Sequence, residues 1–424
     1  MRRRVEAGLG LVIALAWLAP VRMDAQESVP VVSLESLETR AIERHPAVRE
    51  AAARVEEARG RAAQAGAWQN PFVGGQASEW RPRESPSGVF GGFVEQTVTL
   101  GGKRAADRAS AGAEVAVREA ELETARLRVR LAVRVAYYEL AGAAERLEVV
   151  ERLVAVSEES LVITRQLVNV GIADRPDVLE AEAEAAGQRA ALVATRAYLA
   201  GARHRIALAA ADATLATQSV IARIDSTVPV LAREVSLAQI LATSPEVRAA
   251  DAAVVRERLG VDVERRQVFP DLTFRGEAGW NREHHPLTQR GRALGWQYGV
   301  DAGVTLPLFN RNRDGILAAR SAVTSSEARA ALVRQQIESR FAEAFEEYEA
   351  ARVMADAYRA EILPRLEEAY DLYLARYREM ATPYSQVLMA QRTLVTTSER
   401  YVDALTRAWQ AAARVQGLLL EKEK

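Results

Sequence analysis

The chain has 424 residues, 27% of them charged, with 56 Lys and Arg against 57 Asp and Glu and a formal net charge of -1. That balance leaves no electrostatic footprint for a polyanion, so nucleic-acid binding is excluded as a function class. Cysteine is absent, which excludes disulfides, thiolate metal sites, a cysteine nucleophile and a lipid-modified N-terminal cysteine.

Residues 1–25 read as an export signal: Arg2, Arg3 and Arg4, the apolar run Leu9 to Ala19, and a cut after Ala25. Met23 is larger than the small residue expected at its place before the cut. No later apolar run approaches the ~20 residues of a membrane-spanning helix, so any crossing of a membrane falls to strands.

The remainder reads as two structural repeats, 26–225 and 226–424. Pro46, Val48, Arg49 and Pro71 recur as Pro245, Val247, Arg248 and Pro270 at a spacing of 199. Leu100-Gly101, Arg104 and Val178-Leu179 then fall on Phe309-Asn310, Arg313 and Val387-Leu388 at a spacing of 209. One ten-residue jump, in the segment Asn281 to Leu294, separates the registers, as expected of a duplication with one longer loop.

Each repeat opens with a helix (about Leu34 to Gly66; Leu237 to Gln267) entered through a His-Pro or Ser-Pro turn. Two period-two segments follow, at about 71–80 and 89–100, and at about 270–281 and 296–309. Trp296, Tyr298, Val300, Ala302, Val304 and Leu306 alternate with Gln297, Gly299, Asp301, Gly303 and Thr305. Strands of about ten residues with aromatics near their ends suit an outer membrane. Four of them cannot close a barrel, and open edges in lipid are not tolerated, so several copies of the chain must share one.

Long helical hairpins, 102–215 and 311–420, complete the repeats. Val133, Leu140, Leu147, Val154, Leu161 and Val168 recur every seven residues, followed three later by Ala136, Ala143, Val150, Ser157 and Thr164, a coiled-coil seam. Phe341, Tyr348, Ala355, Ile362 and Ala369 form its rougher second copy. The rods turn at Gly171 to Pro176 and at Met380 to Pro383.

With its duplicated strand-strand-long-helix order, Leu100-Gly-Gly-Lys-Arg104, Leu306-Pro-Leu-Phe-Asn-Arg-Asn-Arg313 and the run Ile362 to Tyr377, the chain resembles the TolC family of outer-membrane efflux channels over nearly its whole mature length. Its strand-to-helix joints are most similar to the heavy-metal branch. The resemblance implies a mostly α fold with a transmembrane β part: a homotrimer whose twelve strands form a barrel, continued by a coiled-coil tunnel through the periplasm of a Gram-negative cell. It implies a periplasmic adaptor, an inner-membrane pump of the resistance-nodulation-division type, outer-membrane lipid, and no cofactor.

Gly101-Gly102 and Asn310-Arg311 are the expected joints, where glycine lets strand direction pass into helix; a phosphate loop is excluded by Thr97 and Arg104 at its required positions. Lys103 and Arg104 are expected at the inner membrane interface. In the family a gate of carboxylates spaced by three lies near the helix turns. The matching positions on the second turn are Gln386 and Met389, a departure from that pattern. Asp177 and Glu180 carry the spacing on the first turn, where acids also complement a helix dipole. Asp174, Arg175 and Tyr377 are candidates for polar links between helices. The tips Gly171, Ile172 and Ala173, and Met380, Ala381 and Thr382, resemble the adaptor-docking region. His45 and His204 are isolated, and His284-His285 beside Glu283 is too little for a metal site. No nucleophile-base constellation points to an enzyme. A periplasmic coiled-coil protein without a barrel is the alternative; within transport, drug efflux and type I secretion channels share the pattern.

Overall fold

The computed structural model describes residues 33–81, 87–171, 173–216, 222–224, 227–284 and 293–419. The first repeat holds α1 (Leu34–Arg44), α2 (Pro46–Ala65), β1 (Phe72–Arg81), β2 (Ser87–Val98), α3 (Lys103–Asn169) and α4 (Arg175–Ala209). The second holds α5 (Arg233–Thr243), α6 (Pro245–Arg266), β3 (Leu272–His284), β4 (Ala293–Val304), α7 (Arg313–Ala357), α8 (Leu363–Arg378) and α9 (Tyr384–Leu419). Among the described residues no helix is long and apolar enough to cross a membrane.

The opening helix of each repeat is two helices, not one. His45 (ψ 129°) and Ser244 (ψ 123°) are extended, because a following proline disfavours helical geometry in the residue before it. Pro46 and Pro245 then begin the second helices, where no backbone donor is missed.

α3 is a single helix of 67 residues, about 100 Å long at 1.5 Å per residue. Its seam follows the heptads: Val133, Ala136, Leu140, Ala143, Val150, Ser157, Leu161 and Thr164 are buried. The second rod differs. Phe341, Tyr348 and Ala355 are buried, but Ile362 is 36% exposed and the buried stripe resumes at Tyr370 and Tyr377. From Ala355 to Tyr370 is one residue more than two heptads. The extra residue sits in a π-turn, Tyr358–Ile362, just before Pro364, whose ring would clash with the Ala360 carbonyl in a regular α-helix. Widening that turn accommodates the proline and advances the seam by one position.

The four strands form one antiparallel sheet in the order β1-β2-β3-β4, so β2 and β3 join the two repeats. Beside the sheet, α2, α3, α6 and α7 pack in that order; farther away the order is α4, α3, α9, then α7 and α8. At each level the open edges are one element of the first repeat (β1, α2, α4) and one of the second (β4, α7, α8). Matching cores lie midway along the rods, Leu37, Ala41 and Ile206 against α3 in one repeat, Ile240, Phe341 and Tyr348 against α9 in the other.

Candidate functional site

The strand register sorts side chains onto two unlike faces. Val73, Val94, Phe90, Phe274, Trp280, Trp296, Tyr298, Val300 and Val304 share one face across the four strands, and all are exposed, Val300 at 84%. Gln76, Glu95, Thr97, Thr273, Arg275, Glu277, Gln297 and Asp301 share the other. β1, whose Gly-rich sequence leaves its faces ambiguous, is assigned by pairing: Val73 sits opposite Val94 and Ala77 opposite Phe90. Aromatics mark both ends of the apolar band. Trp280 and Trp296 meet edge to face at 5.8 Å at one end, and Trp68, Phe269 and Phe309 are exposed at the helical end. A large exposed apolar face needs a partner, and lipid is one.

Both strand-to-helix joints use left-handed backbone. Gly101 (φ 67°) and Gly102 (φ 71°) form the first. A Cβ on Gly101 would lie 2.4 Å from Phe269 Cβ. In the second joint the left-handed residue is Asn312 (φ 52°), two positions past Asn310. Asn312 tolerates that conformation better than most residues, and its amide donates to the Glu264 carbonyl (2.9 Å) and carboxylate (2.6 Å), while Asn310 Oδ1 accepts the Asn312 N–H (2.9 Å). Arg311 is exposed. Lys103 and Arg104 lie inside the joint instead of projecting to a membrane interface. Lys103 Nζ is 3.0 Å from Asp271 Oδ1 with its side chain 10% exposed. Arg104 donates to the Gly66 carbonyl (2.6 Å) and lies 4.1 Å over the Trp68 ring. Desolvation among the packed helix ends penalises each cation, so each depends on its partner there, and losing that partner leaves a charge stranded.

At the far end of the rods both turns pass through a left-handed residue, Gly171 (φ 77°) and Met380 (φ 63°), whose N–H bonds three residues back, to Val168 and to Tyr377. The bonds that follow differ: Ala173 N–H reaches back six residues to Leu167, and Ala381 N–H five to Arg376. Ile172 lies outside the described residues. Ala173 is buried, while Met380 is 64% exposed beside the exposed Ala381. Thr382 donates to Gln386 Oε1 (2.6 Å).

Asp177 is engaged locally: its Oδ2 accepts the Asp174 N–H at 3.1 Å, closing the first turn of α4. Glu180 is exposed and, with Met389, lines a groove of about 500 Å³ between α4 and α9. Arg392 and Arg400 line it too. Arg392 Nε crosses to Glu184 Oε2 (2.9 Å), a carboxylate only 12% exposed. That bridge is absent from the sequence expectation, because its partners lie 208 residues apart in the chain. Arg175 is exposed. Tyr377 is buried with Leu161, Ala181 and Tyr384, its ring 5.5 Å from that of Tyr384, so it packs within the chain. Burial pushes the Tyr377 phenol above its usual range and takes that of Tyr370 to about 12.

Along the upper rods, α2, α3, α6 and α7 together line one open groove of about 870 Å³. Some of its charges pair along one helix, as Arg54 does with Glu50 and Arg118 with Glu121, and others pair across helices. Glu246 of α6 meets Arg128 of α3 at 3.2 Å and Arg340 of α7 at 2.5 Å, and Arg256 of α6 meets Glu114 of α3 at 2.7 Å. Among the described residues no group of three or more His, Asp and Glu is placed to hold a metal ion.

The model of the outer membrane efflux protein family matches the chain twice, over residues 37–218 and 236–419, once in each repeat. The chain is similar to the cobalt-zinc-cadmium resistance protein CzcC of Cupriavidus metallidurans, 24% identical over 322 residues that cover 76% of this chain and 75% of that one. It is also similar to the nickel-cobalt-cadmium resistance protein NccC of Alcaligenes xylosoxydans xylosoxydans, 28% identical over 340 residues, covering 76% and 71%. In fold it resembles CusC, with a TM-score of 0.77 at 16% identity, covering 91% of both chains. A sheet with one apolar and one polar face, mounted on paired rods and matched in both repeats, places the chain in the outer membrane efflux protein family.

Proposed function

We propose that three copies of this chain close into a twelve-stranded barrel and a helical tunnel, the passive exit duct of a tripartite exporter of divalent metal cations. The observation that carries the proposal is the set of open edges: at every level β1, α2 and α4 lie on one side and β4, α7 and α8 on the other. A head-to-tail ring pairs each first-repeat edge with a second-repeat edge of the next copy and leaves none exposed. Closure turns the apolar sheet face to lipid and the polar face to a water-filled lumen.

The turns at Gly171 and Met380 lie at the periplasmic tip, where an adaptor docks and passes on cargo from an inner-membrane pump. Glu180 and Met389 line the constriction there, with Asp177 serving the helix cap. Metal cargo is supported by the names of the two relatives, both metal-resistance proteins. Among the described residues no cluster forms an ion-selecting cage, and selection of the cation is assigned to the pump.

Two measurements test this. Purified protein in planar bilayers should form discrete conducting pores, with Glu180→Gln changing conductance and Asp177→Asn leaving it close to wild type. Cells lacking the gene should become sensitive to cobalt, zinc or cadmium and regain resistance with the intact chain. Unaltered metal tolerance together with new sensitivity to organic toxicants would reassign the cargo; absence of pores would remove the duct.

A further inference from the structure

The polar face of the sheet carries one row of charge whose members come from three strands. Glu95 on β2 sits opposite Arg275 on β3, which sits opposite Asp301 on β4. Glu277 lies on the same face two residues along β3. Arg275 is held by three groups at once: its guanidinium lies 3.8 Å over the Phe93 ring, donates to Gln76 Oε1 at 2.8 Å, and stands 3.5 Å from Glu277 Oε2. Two glycines make room for this arrangement. A Cβ on Gly74 would lie 2.6 Å from Phe93 Cζ, and one on Gly299 would lie 2.8 Å from Glu277 Cγ. The clamp draws Arg275 toward β1 and Glu277. Among the described residues, Glu95 and Asp301 have no ion-pair partner.

We propose that Arg275 sets the ion selectivity of the pore, offsetting one of the three carboxylates beside it on the luminal face and leaving a net-acidic belt that favours cations. The inference rests on the closed barrel proposed above. Twelve strands spaced ~4.8 Å at a tilt of ~40° enclose a cylinder of ~12 Å radius at the backbone. Acidic side chains reaching ~5 Å inward stand ~7 Å from the axis, within the ~8 Å Debye length of a physiological salt solution. An ion on the axis therefore senses the belt at low and physiological salt, and loses it to screening at ~1 M, where the Debye length is ~3 Å.

The competing role for Arg275 is a purely structural tie between strands, and substitutions of differing charge separate the two. The experiment is the reversal potential of the full chain in planar bilayers under a potassium chloride gradient, at low salt and at molar salt. Arg275→Gln should raise the cation-to-anion permeability ratio about twofold or more at low salt, and the paired change Glu95→Gln with Asp301→Asn should lower it by a similar factor. Arg275→Lys keeps the charge but loses the flat stack on Phe93, and should keep the wild-type ratio. Conducting pores whose reversal potential is unmoved by Arg275→Gln and by the carboxylate pair would overturn the inference, as would a shift that Arg275→Lys reproduces. Wild-type protein that forms no pore would overturn the barrel reading itself, a different and separable result.

Discussion

Gly101 and Gly171 hold nearly the same left-handed backbone, φ 67° and 77°, but in different surroundings. At Gly171 a Cβ would meet nothing within 4 Å, whereas at Gly101 it would meet Phe269 Cβ and Cγ at 2.4 Å. Alanine at either position costs about 1–2 kcal/mol of left-handed strain, partly offset by the ~0.4–1 kcal/mol gained from restricting the unfolded chain. Overpacking adds roughly 1–3 kcal/mol at Gly101 alone. Gly171→Ala should thus cost about 1 kcal/mol or less, and Gly101→Ala about 2–4 kcal/mol. Thermal circular dichroism of the detergent-solubilised protein, with heat-dissociation of the assembly on gels, reads the difference. Phe269→Gly removes the clashing atoms, so in that background Gly101→Ala should cost no more than Gly171→Ala does in the wild type. Equal losses for the two alanine variants, or no rescue by Phe269→Gly, would refute the reasoning.

The Lys103–Asp271 pair is asymmetric: Asp271 also accepts the Leu100 N–H (3.3 Å), and its loss strands a buried ammonium. Asp271→Ala should therefore destabilise more than Lys103→Met, by roughly 1–2 kcal/mol, read by the same melts. Tyr348 donates to the Pro229 carbonyl and accepts the Leu231 N–H at 3.2 Å. The Tyr377 hydroxyl is buried with no hydrogen-bond partner among the described residues. Tyr348→Phe should cost about 1–3 kcal/mol and Tyr377→Phe close to none. Burial raises the Glu246 carboxyl, but the Arg340 and Arg128 guanidiniums outweigh it, so its folded pKa lies below the ordinary 4.5. A depressed pKa contributes stability above the unfolded value that is lost as pH falls through the folded one. Melts below pH 4.5 should show that loss in the wild type, and Glu246→Gln should flatten it while lowering stability at neutral pH.

What was legible in the sequence was whatever repeats. Heptads give α3 its buried seam because burial recurs every seven residues along a straight rod, and alternation gives β4 its two faces because successive side chains point oppositely. The duplication is visible at both scales, and the tips keep the 209 spacing from Gly171 to Met380. Local exceptions were not legible. The π-turn at Tyr358–Ile362 shifts the seam after Ala355, and nothing in the heptads before it announces the extra residue. Lys103 and Arg104 read as interface cations because their partners, Asp271 and Gly66, are distant in sequence. At the tip, the spacing of Asp177 and Glu180 was plain, but only the first-turn hydrogen bond to Asp174 separates a capping carboxylate from a free one. The charge row was half visible: Arg275, Glu277 and Asp301 alternate within their strands, and pairing with β2 adds Glu95.

The central claim is that copies of one chain close a ring by joining first-repeat edges to second-repeat edges. The most direct test is the native mass of the detergent-purified protein, after correction for bound detergent. Three times the mass of the mature chain, without higher species, is the predicted result. A single monodisperse chain, stable in water without detergent, would contradict it.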